Sequence, residues 1–340
     1  MARRVIVWVT LAVLFSLNGC KRDGSNPLLP SALHRDLLVS SDGVIALISD
    51  DGSNRRDWSP SLYVSQAPQP SPDGQYIAYY HPDSAFNMCV YVMKADGTQR
   101  TRLVPVAANG QYHFEDLRWT NDGKSMLFSS PLSGTQQVYR VESNGQNFKQ
   151  VTSGEFAVSP IPSPTRGEFV YWGIAGWYVL DVDSAQSPRP IDPNKRSGNS
   201  CWSPDGSRIA YVQNALDTLS PDVYTISRDG SDPIALTHDH RSLPKDWSRD
   251  GTKILYAQLT QGFYHCLSVM NADGSAQTQL VDFGSEEIMY AHFSPDSKKI
   301  VVVVLSGDLL HKEIYTLNID GSALIKVLND TDSDAAWMPS

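Results

Sequence analysis

Short apolar runs recur along the chain, each closed by a cluster of turn residues. The segment Cys201-Trp-Ser-Pro-Asp-Gly-Ser-Arg-Ile-Ala-Tyr-Val212 shows the unit most fully. Ser203-Pro204-Asp205-Gly206 has the composition of a tight turn: proline presets φ, aspartate bonds back to the backbone, and glycine accepts positive φ. Ile209 to Val212 is β-prone and almost wholly apolar, as a strand buried on both faces must be. Related turns stand at Ser71 to Gly74, Thr120 to Gly123, Ser163 to Gly167, Ser248 to Gly251 and Ser294 to Ser297. Trp119, Trp202, Trp247 and Phe293 immediately precede four of them.

A second unit alternates with the first: an aliphatic–aromatic strand ending in Asp-Gly or a close variant. It reads Val90 to Gly97, Val138 to Gly145, Val223 to Gly230, Leu267 to Gly274 and Ile314 to Gly321. Relatives begin at Ala46 and Trp177. Asp-Gly between alternating runs is a strong hairpin signal. With a short third run after each Asp-Gly, the unit becomes four strands in about 45 residues. That is the period of a β-propeller blade. The expected fold is all-β, with residues 36–340 forming one propeller of seven four-stranded blades. The chain opens on a blade that lacks its first strand. Asp334 to Pro339 supplies one, with Trp337 placed like Trp202 and Pro339 like Pro204. Joining the two ends closes the ring and removes two open sheet edges. Six blades remain open as an alternative if residues 36–66 form a peripheral hairpin.

The repeats resemble the TolB-type propeller repeat: Trp-Ser-Pro-Asp-Gly, then Ile-Ala-aromatic, then an aliphatic-Tyr-Val strand and Asp-Gly. Residues 201–230 carry nearly the whole pattern, and the resemblance extends over roughly 36–340. It implies a fold more than an activity. The family includes a periplasmic protein that works by binding partners, non-catalytic domains of serine peptidases, and a few lyases.

The N-terminus differs from the rest. Arg3 and Arg4 precede an apolar run from Val5 to Leu17, which is followed by Leu17-Asn18-Gly19-Cys20. The run is short for a membrane span and suits a signal peptide. Leu17, Gly19 and Cys20 resemble a bacterial lipoprotein signal, which implies acylation at Cys20, with residues 21–35 as a flexible tether. Lys21 after that cysteine favours outer-membrane anchoring. The expected location is therefore the periplasmic side of the cell envelope.

Composition narrows the function. The chain carries 28 Lys and Arg against 37 Asp and Glu, a formal charge of −9. Loss of residues 1–20, which hold two arginines and no acid, makes it −11. An acidic body argues against nucleic acid, and leaves the N-terminal lipid as the only expected membrane contact. Cys89, Cys201 and Cys266 match no zinc spacing; they read as buried small hydrophobes, or as one disulfide and a free thiol. There is no nucleophile elbow, His-Glu-x-x-His or phosphate loop. No catalytic residue and no cofactor is therefore assigned.

In a propeller the two repeated turns share one face, and the irregular connections gather on the other, around the channel mouth. Binding residues concentrate on such loops. Arg196, Arg241 and Lys245, with Tyr112, Phe283 and Tyr290, form the expected contact surface for an envelope protein or peptide, or for an extended glycan. A different reading, a carbohydrate-binding or lyase-like propeller, would use His113, His238, His240 and His292 as metal ligands at the mouth. Asp330, Asp332 and Asp334 alternate like part of a calcium loop but lack its glycine and distal glutamate.

Overall fold

The inner strands form because they are covered on both sides, while outer ones such as Arg56–Asp57 and Lys149–Gln150 are exposed. The computed structural model describes residues 36–41, 43–58, 66–84, 87–107, 117–154, 156–183, 187–192, 199–214, 221–260, 263–308, 311–330 and 334–339. Cys20 and the tether fall outside these residues.

Seven four-stranded antiparallel sheets form the ring. Blade one joins β28 (Asp334–Trp337) to β1 (Asp36–Ser41), β2 (Val44–Ser49) and β3 (Arg56–Asp57). Blade two comprises β4 (Gln66–Pro70), β5 (Tyr76–Pro82), β6 (Met88–Lys94) and β7 (Thr101–Ala107). Blade three comprises β8 (Arg118–Trp119), β9 (Ser125–Ser130), β10 (Gln137–Glu142) and β11 (Lys149–Gln150). Blade four comprises β12 (Ala157–Pro162), β13 (Glu168–Gly173), β14 (Gly176–Asp181) and β15 (Arg189–Asp192). Blade five comprises β16 (Ser200–Trp202), β17 (Arg208–Asn214), β18 (Pro221–Ser227) and β19 (Ile234–Ala235). Blade six comprises β20 (Ser242–Trp247), β21 (Lys253–Thr260), β22 (Phe263–Asn271) and β23 (Thr278–Asp282). Blade seven comprises β24 (Glu287–Phe293), β25 (Lys299–Leu305), β26 (Lys312–Asn318) and β27 (Ile325–Asp330).

The six-bladed alternative fails, because residues 36–57 are three strands of a full blade. The ring closes as the sequence implies: Leu37 pairs with Trp337, Leu38 with Ala336, Val39 with Ala335 and Ser40 with Asp334.

The core is divided among the blade interfaces. Side chains alternate across a strand, so a strand between two neighbouring blades serves both. In β25, Ile300, Val302 and Val304 pack toward blade six, while Val301 and Val303 pack toward blade one. In β1, Leu37 and Val39 face blade seven while Leu38 faces blade two. This is why Ile300 to Leu305 reads as a continuous apolar run with no polar alternation. Each such side chain, wholly buried, contributes about 1.5–3 kcal/mol.

The turns are held by their own side chains. Ser71 Oγ donates to Asp73 Oδ1 at 2.6 Å, and that carboxylate accepts the Gln75 amide at 3.0 Å. Thr120–Asp122, Ser203–Asp205, Ser248–Asp250 and Ser294–Asp296 repeat the bond at 2.6–2.7 Å. In the Asp-Gly turns, Asp96, Asp229, Asp273 and Asp320 each accept from the residue two places on. Gly321 shows why glycine is needed there: its φ is +84°, and a Cβ would stand 2.9 Å from the Leu280 carbonyl oxygen.

Tryptophans stitch the first strands together. Trp119 Nε1 donates to the Gln69 carbonyl at 2.9 Å, Trp202 to Ile161 at 2.9 Å and Trp337 to His292 at 3.1 Å. Trp337 in the closing strand thus repeats the bond made by Trp202. Trp247 departs from the pattern and donates to Gly251 within its own turn at 3.2 Å. Cys89, Cys201 and Cys266 are buried and free, so the disulfide alternative also fails.

Candidate functional site

Successive antiparallel strands put their connections at alternate ends. The turns after the first and third strands of each blade therefore share one face. The connections after the second and fourth strands share the other, which is the channel-mouth face.

Carboxylates on both faces are held by hydrogen bonds. On the turn face, hydrogen bonds from Ser71 and Ser203 hold Asp73 and Asp205 below the usual carboxylate range, and Asp250 is held likewise by Ser248. On the mouth face, Asp222 and Asp239 also take partners further along the chain. Asp222, buried at the start of β18, accepts Thr237 Oγ1 at 3.0 Å and the His240 amide at 3.1 Å, and its Oδ2 lies 2.8 Å from His240 Nδ1. Asp239 accepts Ser242 Oγ at 2.8 Å and Gln258 Nε2 at 2.7 Å, with Arg241 Nε at 3.4 Å. Burial raises the Asp239 carboxyl, but these donors outweigh it and bring it below its ordinary value.

The predicted contact residues fall in different settings. Arg241 is exposed and paired with Asp239. Lys245 is not a loop residue. It lies at the bulge in β20, and its Nζ donates to the Ile288 carbonyl at 2.9 Å and the Met289 carbonyl at 3.1 Å in blade seven. Phe283 packs on Tyr315, with ring centroids 5.1 Å apart. Tyr290 is half-buried against the blade seven–blade one core. Tyr112 and Arg196 lie outside the described residues.

Beside Phe283, Tyr315 Oη donates to Glu313 Oε2 at 2.5 Å, and Lys326 Nζ lies 2.6 Å from the same oxygen. Burial pushes the Tyr315 phenol up to about 12, and the Glu313 bond keeps the Lys326 ammonium up to about 12. Burial, reinforced by Glu313, raises Glu286 nearby.

Three of the four proposed metal-binding histidines are described. His113 lies outside the described residues. His240 is oriented by Asp222, and His292 Nδ1 lies 3.6 Å from Asp246 in the neighbouring blade. Neither these two nor His238 joins a convergent group of three ligand side chains among the described residues. Asp334 of the calcium-like triplet bonds Lys312 Nζ at 3.1 Å and the Ala67 amide at 3.2 Å. The Asp332 residue and the Asp330 side chain are not described.

One convergent group does occur, and sequence reasoning missed it: His265, Cys266 and Asp282, at the mouth end of β22 and β23. Burial raises the Cys266 thiol above its ordinary value. Adjacent residues in a strand are assigned to opposite faces, so no pattern in the sequence couples His265 to Cys266.

Comparison with known structures agrees with this architecture. TolB from Acinetobacter baumannii superposes with a TM-score of 0.57 at 16% identity, over 92% of this chain and 68% of that one. The fold is a TolB-type seven-bladed β-propeller. An oligogalacturonate lyase in complex with manganese shares this propeller with a TM-score of 0.54 at 12% identity, over 78% of this chain and 74% of that one. By sequence, an uncharacterised protein of Agrobacterium fabrum is 25% identical over 237 residues, covering 65% of this chain and 78% of its own. No protein-family model matches the chain.

Proposed function

We propose that this propeller is a lipid-anchored scaffold of the bacterial cell envelope that binds a protein or peptide partner on its mouth face. One observation carries the reading: the run of exposed polar and charged side chains in the loop before β20 on the mouth face. His238, Asp239, His240 and Arg241 stand exposed in the loop before β20, and Phe283 follows β23 on the same face, half-buried. Exposed Arg and accessible aromatic surface on one face have the composition of an interface hot spot. The lipoprotein-like segment ending at Cys20, and the TolB-type repeats, support an envelope location. The lyase-like reading needs His113, His238, His240 and His292 to hold one ion, and no described contact favours it.

A photo-crosslinking amino acid placed at Arg241 or Phe283, in intact cells, tests the site. Discrete adducts are expected from these positions, but not from Asp205 or Asp273 on the turn face. Adducts only from the turn face, or from neither face, would refute the assignment. Cys20→Ser is expected to move the protein from the membrane to the soluble fraction.

A further inference from the structure

Two register shifts in blade six bring three side chains of different chemistry to one point. Between β21 and β22, Gln258 pairs with Cys266 and Leu259 with Tyr264, so His265 is an extra residue with no partner across the ladder. In a regular strand His265 and Cys266 would face opposite sides. The bulge re-aims the side chain, and Cys266 Sγ lies 3.6 Å from His265 Nδ1. A second shift, between Leu267 and Ser268 of β22 where it pairs with β23, sets Asp282 directly across from Cys266. Asp282 Oδ1 lies 2.9 Å from the same His265 Nδ1. Each residue offers one donor atom, and the three atoms lie within 4.8 Å of one another.

The other imidazole nitrogen orients the ring. His265 Nε2 lies 3.0 Å from the Thr260 carbonyl oxygen. Metal-ligating histidines typically donate their second ring N–H to such a carbonyl or carboxylate, which fixes the tautomer. With Nε2 as the donor, Nδ1 presents a lone pair, facing a sulfur and a carboxylate oxygen. With the thiol deprotonated, three electron-pair donors lie within 4.8 Å of one another, a set that one cation can join.

We infer that His265 Nδ1, Cys266 Sγ and Asp282 Oδ1 bind a divalent transition-metal ion of the zinc class. Imidazole, thiolate and one carboxylate suit tetrahedral zinc, with water completing the shell, and disfavour magnesium or calcium. His265 and Cys266 are buried, while the Asp282 side chain is 49% exposed, so the ion enters from the solvent side of β23. Binding releases the thiol proton to solvent, so affinity rises with pH. An ion-free arrangement competes, in which Nδ1–H donates to Asp282 and the Thr260 hydroxyl donates to Nε2. The site is independent of the partner-binding reading, and uses none of the four histidines of the lyase-like one.

The test is titration of the purified, metal-stripped full chain with Co²⁺ alone, followed by Zn²⁺. One equivalent of Co²⁺ is expected to bind, with a thiolate-to-cobalt charge-transfer band in the near ultraviolet that Zn²⁺ abolishes. Cys266→Ser removes the band. Asp282→Asn, at a solvent-facing position that leaves the fold intact, weakens Co²⁺ binding by about tenfold or more while the band persists at saturation. His238→Ala with His240→Ala changes neither. Absence of a thiolate band in the unmodified protein, or a band that survives Cys266→Ser, overturns the assignment in favour of the ion-free arrangement.

Discussion

Replacing Trp337 by alanine tests whether the ring is held by its closing strand. Trp337 is 8% exposed and belongs to the core shared by blades seven and one, with Leu37, Val39, Val301 and Val303. Removing a buried tryptophan costs about 3–5 kcal/mol through lost burial and the cavity left behind. Losing the bond to the His292 carbonyl adds about 1 kcal/mol. The expected destabilisation is therefore about 4–6 kcal/mol. Trp337→Phe provides the internal control. Phe293 occupies the corresponding position in blade seven, so the ring tolerates phenylalanine at this register. That variant keeps most of the packing, loses the hydrogen bond, and should cost about 1–2 kcal/mol. Urea unfolding followed by far-ultraviolet circular dichroism measures both. Hydrogen exchange should show loss of protection in β1 and β28 before the other blades in the alanine variant. If Trp337→Ala unfolds within 1 kcal/mol of the parent, or if β1 keeps its protection, closure through residues 334–337 contributes little to stability and the reasoning fails.

Other expectations follow from the turns and the mouth face. Asp73, Asp205 and Asp250 have folded values below the ordinary 3.8, so the stability they contribute is present above that pH and is lost as pH falls through their folded values; melting temperature should drop below about pH 4, less steeply in Asp205→Asn. Gly321→Ala should cost about 1–2 kcal/mol in backbone strain plus the clash with the Leu280 carbonyl, whereas Gly134→Ala, with a φ of +98° and nothing within 4 Å of its Cβ, should cost only the strain. Chemical unfolding distinguishes the two. Lys245→Met should lower stability by about 1.5–3 kcal/mol through two lost charge-assisted bonds, while leaving crosslinking from Arg241 unchanged. Reduced crosslinking without lost stability would restore Lys245 as a contact residue.

The fold was legible because its information is local and repeated. A turn such as Ser203 to Gly206 states its own geometry, and the resemblance of Trp337 and Pro339 to Trp202 and Pro204 was enough to identify the closing strand. The site was less legible because its information is long-range. Arg241 does lie exposed on the mouth face, but Lys245 is spent on the carbonyls of another blade. His240 and His292 are each claimed by a carboxylate, Asp222 and Asp246, that no spacing rule links to them. His265 and Cys266 meet only because a residue is left unpaired in the ladder, and a period-two pattern cannot announce that.

Ring closure also has a mechanical meaning. β1 is the first described strand after Cys20 in the sequence, so under the proposed lipid anchoring tension would reach the propeller at Asp36. Were β1 an outer strand, such a load would unzip it one bond at a time. It is instead flanked by β28 on one side and β2 on the other. A pull along the chain must therefore shear two ladders at once. The strand that would carry the proposed tether is clamped by residues 334–337, which would make the point of attachment one of the better-secured places in the propeller.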